Sequence, residues 1–251
     1  MADNCSDGRV QSAMGRLETP PPRLLPASDR SLLVSFGGGV SLENHRRVRS
    51  LLRLIDLSPL PGIVDLLPAY ASILVRFDSL RLGHAEVAAH VRHLLARPEV
   101  AGAAEGRIVE IPVCYGAEFG PDLDEVARIC RCAPQRVIDL HAGVVYHAYF
   151  LGFVPGFAYL GDLPETIACP RLRSPRRSVP AGSVGIAGAQ TGIYPAAAPG
   201  GWRLIGRTPL RMFDAHRDPM SLLEIGDRVR FVPIGPERFD ALEGECLRSS
   251  S

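Results

Sequence analysis

Lysine is missing from this sequence: all 28 basic side chains are arginine, against 27 acidic ones, for a net charge of +1. The absence excludes a Walker lysine, a Schiff-base lysine and pyridoxal phosphate chemistry, and with them any lysine-bound organic prosthetic group. Any phosphate bound here must meet arginine, backbone N–H groups or a metal ion. No apolar run approaches the roughly 18–20 residues that a bilayer span needs. The first ten residues, MADNCSDGRV, lack the charged-then-apolar pattern of a signal peptide. A near-neutral charge makes no electrostatic case for nucleic acid or membrane as a partner. The expectation is a cytoplasmic protein that binds neither. The six cysteines are scattered without a CxxC pair, and in a chain of 251 residues they read as free thiols. Cys130-x-Cys132 has no second ligand pair near it, so no metal site is assigned. GxSxG and GxGxxG are both absent, which removes the sequence case for a serine nucleophile elbow and for a dinucleotide fold.

What is present suffices for a proper core: 46% of the residues are hydrophobic and 22% charged. Residues 1–25 read as a flexible tail that includes three prolines, Pro20 to Pro22. SLLVSFGG at 31–38 predicts a strand. The Ser41 cap and the helical spacing of Val48, Leu51, Leu52 and Ile55 predict an amphipathic helix over 41–57. Strands follow at 62–66 and 71–77, a helix at 84–98, and a strand at 107–115. That β-α-β-β-α-β order suggests a ferredoxin-like α+β domain over 26–104, with a weakly patterned linker at 99–106. Two short helices are expected at 122–129, with acids in the first turn, and at 134–141. From the strand at 144–153 onward the pattern is short strands (SVGIAG, WRLIG, LRMFD, DRVRFVP). Residues 105–240 therefore read as a mainly-β, closed or nearly closed barrel, with a tail at 241–251.

The most informative stretch is 150–209. Glycine and proline are dense there, yet Phe150, Phe153, Phe157, Tyr159, Tyr194 and Trp202 are interleaved with them. A flexible linker avoids such side chains, so the segment reads as strands and tight turns that build a rigid surface. Arg171, Arg173, Arg176 and Arg177 lie in its middle. Such a run can be a solvated face, but Pro170, Pro175 and Pro180 stiffen the backbone and favour preorganised anion contacts. The segment Gly182-Ser183-Val184-Gly185-Ile186-Ala187-Gly188 admits two readings: turns with close backbone packing, or N–H groups presented to an anion. Gln190, Thr191 and Tyr194 could hydrogen-bond a small polar substrate. Trp202 reads as a core anchor rather than a stacking platform. His141, after a helix and before a buried strand, is either a satisfied structural residue or a catalyst.

The run from His141 to Tyr146, LGFVPGFAYL, PRLRSPR, VPAGSVGIAGAQTGIYP, PGGWRLIGRTP and the later GDRVRFVP closely resemble one family, over roughly residues 28–235. It is the family of the bacterial 5-oxoprolinase B subunit, also called KipI-like or allophanate hydrolase subunit 1. The resemblance implies an α+β domain joined to a cyclophilin-like β-barrel, a direct partner in the C subunit of 5-oxoprolinase and a functional one in the A subunit. It implies ATP-driven opening of the 5-oxoproline lactam to glutamate, with ATP as co-substrate together with Mg²⁺. On that reading Arg171 and Arg176 clamp phosphate oxygens. Gly182, Ser183 and Gly185 supply N–H donors, and His141 serves as base on the lactam N–H or carries the phosphate. Asp162, Glu165 and Asp214 are available carboxylates but equally read as turn residues. Two other roles exist in the wider family. One is inhibition of a sensor histidine kinase, with Phe153 and Phe157 as contacts; the other is a urea amidolyase component.

Overall fold

The computed structural model describes residues 21–97 and 106–248. The expected linker at 99–106, apart from Gly106, and most of the tail at 1–25 lie outside these residues. The first unit contains β1 (Arg23–Ser28), β2 (Ser31–Ser35), α1 (Leu42–Leu57), β3 (Ile63–Pro68), β4 (Ser72–Phe77) and α2 (His84–Leu95). Ser41 caps α1, its hydroxyl accepting from the Asn44 N–H at 3.1 Å. Period-two alternation on β2 and β4 turns Leu32, Val34, Ile73, Val75 and Phe77 toward Val48, Leu51, Ile55, Val87 and Val91 of the two helices.

The sheet order is β1-β2-β4-β3, antiparallel throughout. This differs from the ferredoxin-like expectation. The strand after α2, β5 (Ile108–Tyr115), pairs with barrel strands, and the edge position beside β2 is taken by β1. The reason is local: β1 and β2 are joined by a two-residue turn and pair over Arg23↔Ser35 to Ser28↔Ser31. A hairpin partner is available without any long-range closure.

The second unit comprises β5, α3 (Leu123–Cys130), α4 (Pro134–Ala142), β6 (Val145–Leu151), β7 (Ala158–Gly161), β8 (Arg176–Val179), β9 (Ser183–Ala187), β10 (Gln190–Ile193), β11 (Ala198–Gly200), β12 (Arg203–Arg207), β13 (Arg228–Pro233) and α5 (Pro236–Arg248). Seven strands close into a barrel in the order β10-β7-β6-β13-β5-β12-β9, and β8 and β11 form a separate ribbon. Its interior is filled by Ile111, Val113, Tyr146, Val184, Ile186, Val229 and Phe231. The ribbon packs through a second cluster, in which Val179 and Ala198 meet Phe157, Tyr194, Trp202 and Leu204. LRMFD is not a strand, since it makes only the isolated bridge Phe213↔Ser221. Residues 236–248, expected to straddle the end of the barrel and a tail, form α5.

The two units meet through aromatic rings. Tyr70 lies 5.2 Å from Tyr149, 4.9 Å from Phe150 and 6.4 Å from Tyr159, centroid to centroid. His45 meets Tyr149 edge-on at 4.9 Å, and the Gln190 amide donates to the Tyr70 hydroxyl.

Candidate functional site

The hydrogen-bond chain that contains His141 runs through the barrel interior. Burial leaves its ring no access to solvent. The Tyr115 hydroxyl is 2.8 Å from Nδ1, and the Thr191 hydroxyl is 2.9 Å from Nε2. Thr191 in turn donates to the Gly185 carbonyl at 3.1 Å. One tautomer satisfies the whole chain: Tyr115 O–H donates to Nδ1, and Nε2–H donates to Thr191. The ring stacks on Phe231 at 4.5 Å, and the Tyr146 hydroxyl donates to its backbone carbonyl. Burial pushes its pKa down to about 3. His141 and Thr191 are therefore tie-points of the core, and neither nitrogen is free to take a lactam proton or a phosphate.

Arg176 is also committed. Its guanidinium donates to Asp122 at 2.6 Å and to the Trp202 carbonyl at 3.4 Å. The other oxygen of buried Asp122 accepts from the Leu204 N–H at 2.7 Å. The pair pins the ribbon and the start of α3 to β12, so Arg176 is a strut and not a phosphate clamp. Beside it Arg203 donates to the Pro170 carbonyl at 2.9 Å and pairs with Glu125 at 2.8 Å. Asp122, read from sequence only as a helix-start acid, is the partner that the sequence reading missed. Its pairing spans 54 residues and leaves no local signal.

The glycine segment resolves toward packing. The Gly182 N–H donates to the Tyr194 carbonyl at 2.7 Å, and the Ser183 N–H to that of Pro180 at 3.3 Å. Gly185 sits in the barrel wall between Gly192 of β10 and Leu204 of β12. The expected anion cradle does not form, because these N–H groups serve the fold. Gly182 borders a separate cavity beside α5, where Arg207 faces Glu243 at 3.9 Å and Arg211 pairs with Asp214 at 3.0 Å.

Arg171 differs from its neighbours. Among the described residues it has no carboxylate within ion-pair distance, and its guanidinium lies 5.9 Å from the centre of the Trp202 ring. It stands on the rim of a cavity of about 290 Å³ lined by Phe153, Phe157, Tyr159, Tyr194 and Trp202. Phe157 is edge-on to Tyr159, Tyr194 and Trp202 at 4.9–5.5 Å, which holds the rings as one assembly. Two glycines make room for it. A Cβ on Gly192 would stand 3.0 Å from the Phe157 ring and 3.1 Å from that of Trp202, and one on Gly200 would collide with the Tyr194 ring. Burial raises the Tyr159 and Tyr194 pKa values while Arg171 pulls both down, so both phenols stay protonated donors.

The other side of Arg171 faces a cleft of about 600 Å³ between the two units, lined also by Tyr70, Asp162, Glu165 and Gln190. Asp162 lies 3.5 Å from His147 and accepts from Tyr149 at 3.3 Å. The neighbouring His147 ring chiefly holds its carboxyl below the usual range, so it is an anion at neutral pH. Of the residues singled out in the sequence, the structure thus brings Arg171 and Tyr194 to one cavity and Arg171 and Gln190 to the adjoining cleft. It keeps His141, Arg176, Gly182, Ser183, Gly185 and Thr191 out of both. Phe153, Phe157 and Tyr159 were visible in the sequence as rigid aromatics, Phe153 and Phe157 also as contacts in the kinase-inhibitor alternative.

Comparison with known proteins adds four findings. The carboxyltransferase domain, subdomain C and D, family matches residues 22–223. The B subunit of 5-oxoprolinase from Bacillus subtilis (strain 168) is 43% identical over 232 residues, 86% of this chain and 95% of that one. The chain belongs to the family of 5-oxoprolinase B subunits. The crystal structure of TTHA0988 shares its fold at a TM-score of 0.74 with 40% identity over 82% of this chain, which spans 40% of that longer chain. The Kluyveromyces lactis urea amidolyase superposes at a TM-score of 0.75 over 90% of this chain and 16% of its own, and at 20% identity this shows the fold alone. The same fold is therefore also found within longer chains.

Proposed function

We propose that this chain is the B subunit of an ATP-dependent 5-oxoprolinase, acting directly with the C subunit and functionally with the A subunit. The observation that supports this best is the near end-to-end match to the B subunit from Bacillus subtilis. The arrangement around Arg171 suits the chemistry. A lactam carbonyl is a poor electrophile. Transfer of the γ-phosphoryl of ATP to its oxygen, with ADP leaving and the N–H proton lost to a base, makes the carbon electrophilic. Water then adds there, the ring nitrogen leaves as the amine, and hydrolysis of the resulting acyl phosphate releases phosphate and glutamate.

Such a step is mostly positioning and charge neutralisation. Arg171, between the aromatic cavity and the interdomain cleft, is the cation placed to do this from either side. Among the described residues no three His, Cys, Asp or Glu side chains come together as a metal cage. Mg²⁺ needs only one or two carboxylates when nucleotide phosphates supply the rest. Asp162 and Glu165 on the cleft meet that requirement. The lactam proton needs an acceptor other than buried His141.

The test is release of glutamate and ADP from 5-oxoproline and Mg-ATP by this chain with its A and C subunits, each omitted in turn. Turnover that requires this chain supports the reading. Turnover unchanged by its omission, or absent from every mixture of folded proteins, overturns it.

A further inference from the structure

From the geometry of the aromatic cavity we infer that it takes a small, flat ring acid: a ring without positive charge lies between the aromatic walls, and its carboxylate sits on Arg171. The inference deepens the 5-oxoprolinase reading and rests on it for the identity of the ring acid. Its physical basis lies in the lining.

Phe153, Phe157, Tyr159, Tyr194 and Trp202 present faces and edges to about 290 Å³, a space matched to a compact ring. No carboxylate lines the cavity among the described residues, so an ammonium group entering it would be desolvated without a counter-charge. Aromatic boxes without a cation of their own favour cationic ligands. Here the Arg171 guanidinium already faces the Trp202 ring and repels a second cation. Neighbouring Arg176 and Arg203 are neutralised by Asp122 and Glu125, which leaves Arg171 as the cation at the cavity that carries no carboxylate partner among the described residues. The cavity is therefore selective in a definite direction. A lactam acid satisfies it. Proline has the same ring size and the same carboxylate but carries an ammonium in the ring, and it is excluded. Glutamate, the ring-opened product, carries an ammonium and a second carboxylate, and it is released.

Trp202 is the single tryptophan of the chain and lines this cavity, so its fluorescence reports the cavity directly. The experiment titrates the full chain with 5-oxoproline, proline, glutamate and 2-pyrrolidinone. Saturable change is expected with 5-oxoproline. Proline and glutamate should bind at least about tenfold more weakly. The uncharged lactam 2-pyrrolidinone should lose a similar factor with the carboxylate contact. Arg171→Leu, with its fold verified by circular dichroism, should weaken 5-oxoproline by about tenfold or more. Absence of a response to 5-oxoproline, an equal response to proline, or an unaffected Arg171→Leu protein would each overturn the assignment. The reconstituted assay separates the two claims. If turnover requires this chain but Arg171→Leu leaves KM for 5-oxoproline unchanged, the cavity assignment fails and the enzyme reading stands. If the ring acid binds here but turnover does not need this chain, the reverse holds.

Discussion

At the scale of single residues, commitment of polar groups decides which are available for chemistry. Arg176 and Arg171 lie five positions apart in one proline-stiffened run, yet one is locked to a buried carboxylate and the other is free of one. Replacing Arg176 with alanine strands Asp122, which keeps only the Leu204 N–H as partner. We expect a loss of about 2 kcal/mol in urea unfolding, the size of a lost charge-assisted hydrogen bond at a buried acceptor. Asp122→Asn combined with it should give clear non-additivity in a double-mutant cycle.

The buried histidines set a pH dependence. His141 titrates in the folded state down at about 3, and His45, desolvated and facing Arg49, His147 and Asp162, down at about 4, against about 6.5 for an exposed ring. Both are depressed, so the unfolded chain binds the extra protons between those values. Stability is full above about pH 6.5 and falls as pH drops through 6 toward 4. Each histidine contributes a slope of about 1.4 kcal/mol per pH unit. Urea midpoints between pH 7.5 and 4.5 should show the decline, and His141→Gln should flatten it. A midpoint that rises on acidification would contradict the burial described for these rings.

At the scale of elements, the site is made by close approach. Strand β10 carries Gly192 under two rings, and the ribbon strand β11 carries Gly200 against Tyr194. Gly192→Ala must push the Phe157 or Trp202 ring by a few tenths of an ångström. Overpacking of this kind costs about 1–3 kcal/mol. The expected result is a lower thermal midpoint together with an altered Trp202 emission. An unchanged emission would show that the rings can yield elsewhere. Helices α1 to α4 were legible in the sequence from local signals, as Ser41 and Val48, Leu51 and Ile55 show on α1, whereas α5 fell across the expected barrel end and tail. The short strands β7, β8, β10 and β11 were not, because three or four residues are too few to display an alternation. Strand β5 was legible as a strand within the expected barrel segment at 105–240, but its partners in the barrel were not. Pairing with β13 across about 120 residues, parallel and in register, leaves no local trace.

At the scale of the whole molecule, the two units share an aromatic seam and a cleft, with Tyr70 at the centre of both. Ile225, from the segment before β13, also packs into the core of the first unit. Coupling of this kind favours a single cooperative unfolding transition. Tyr70→Ala removes the ring contacts to Tyr149, Phe150 and Tyr159, together with the Gln190 hydrogen bond. Calorimetry should then show broadening or two transitions where the parent chain shows one. A single unbroadened transition in the variant would mean that other contacts, such as His45 against Tyr149, are enough to couple the units.

Local pattern was enough to set the class of the molecule. Helical periodicity, glycine and proline punctuation, and the rigid aromatic stretch at 150–209 are all local properties, and so is the exclusion of lysine chemistry. The same properties also carried the family resemblance. Which of the singled-out residues are free to act was settled by the folded chain alone. That depends on partners far apart in the sequence: Asp122 for Arg176, and Tyr115 and Thr191 for His141. A side chain's chemistry is set by its type, but its availability is set by what it is already bonded to, and those bonds form only when distant strands close the barrel.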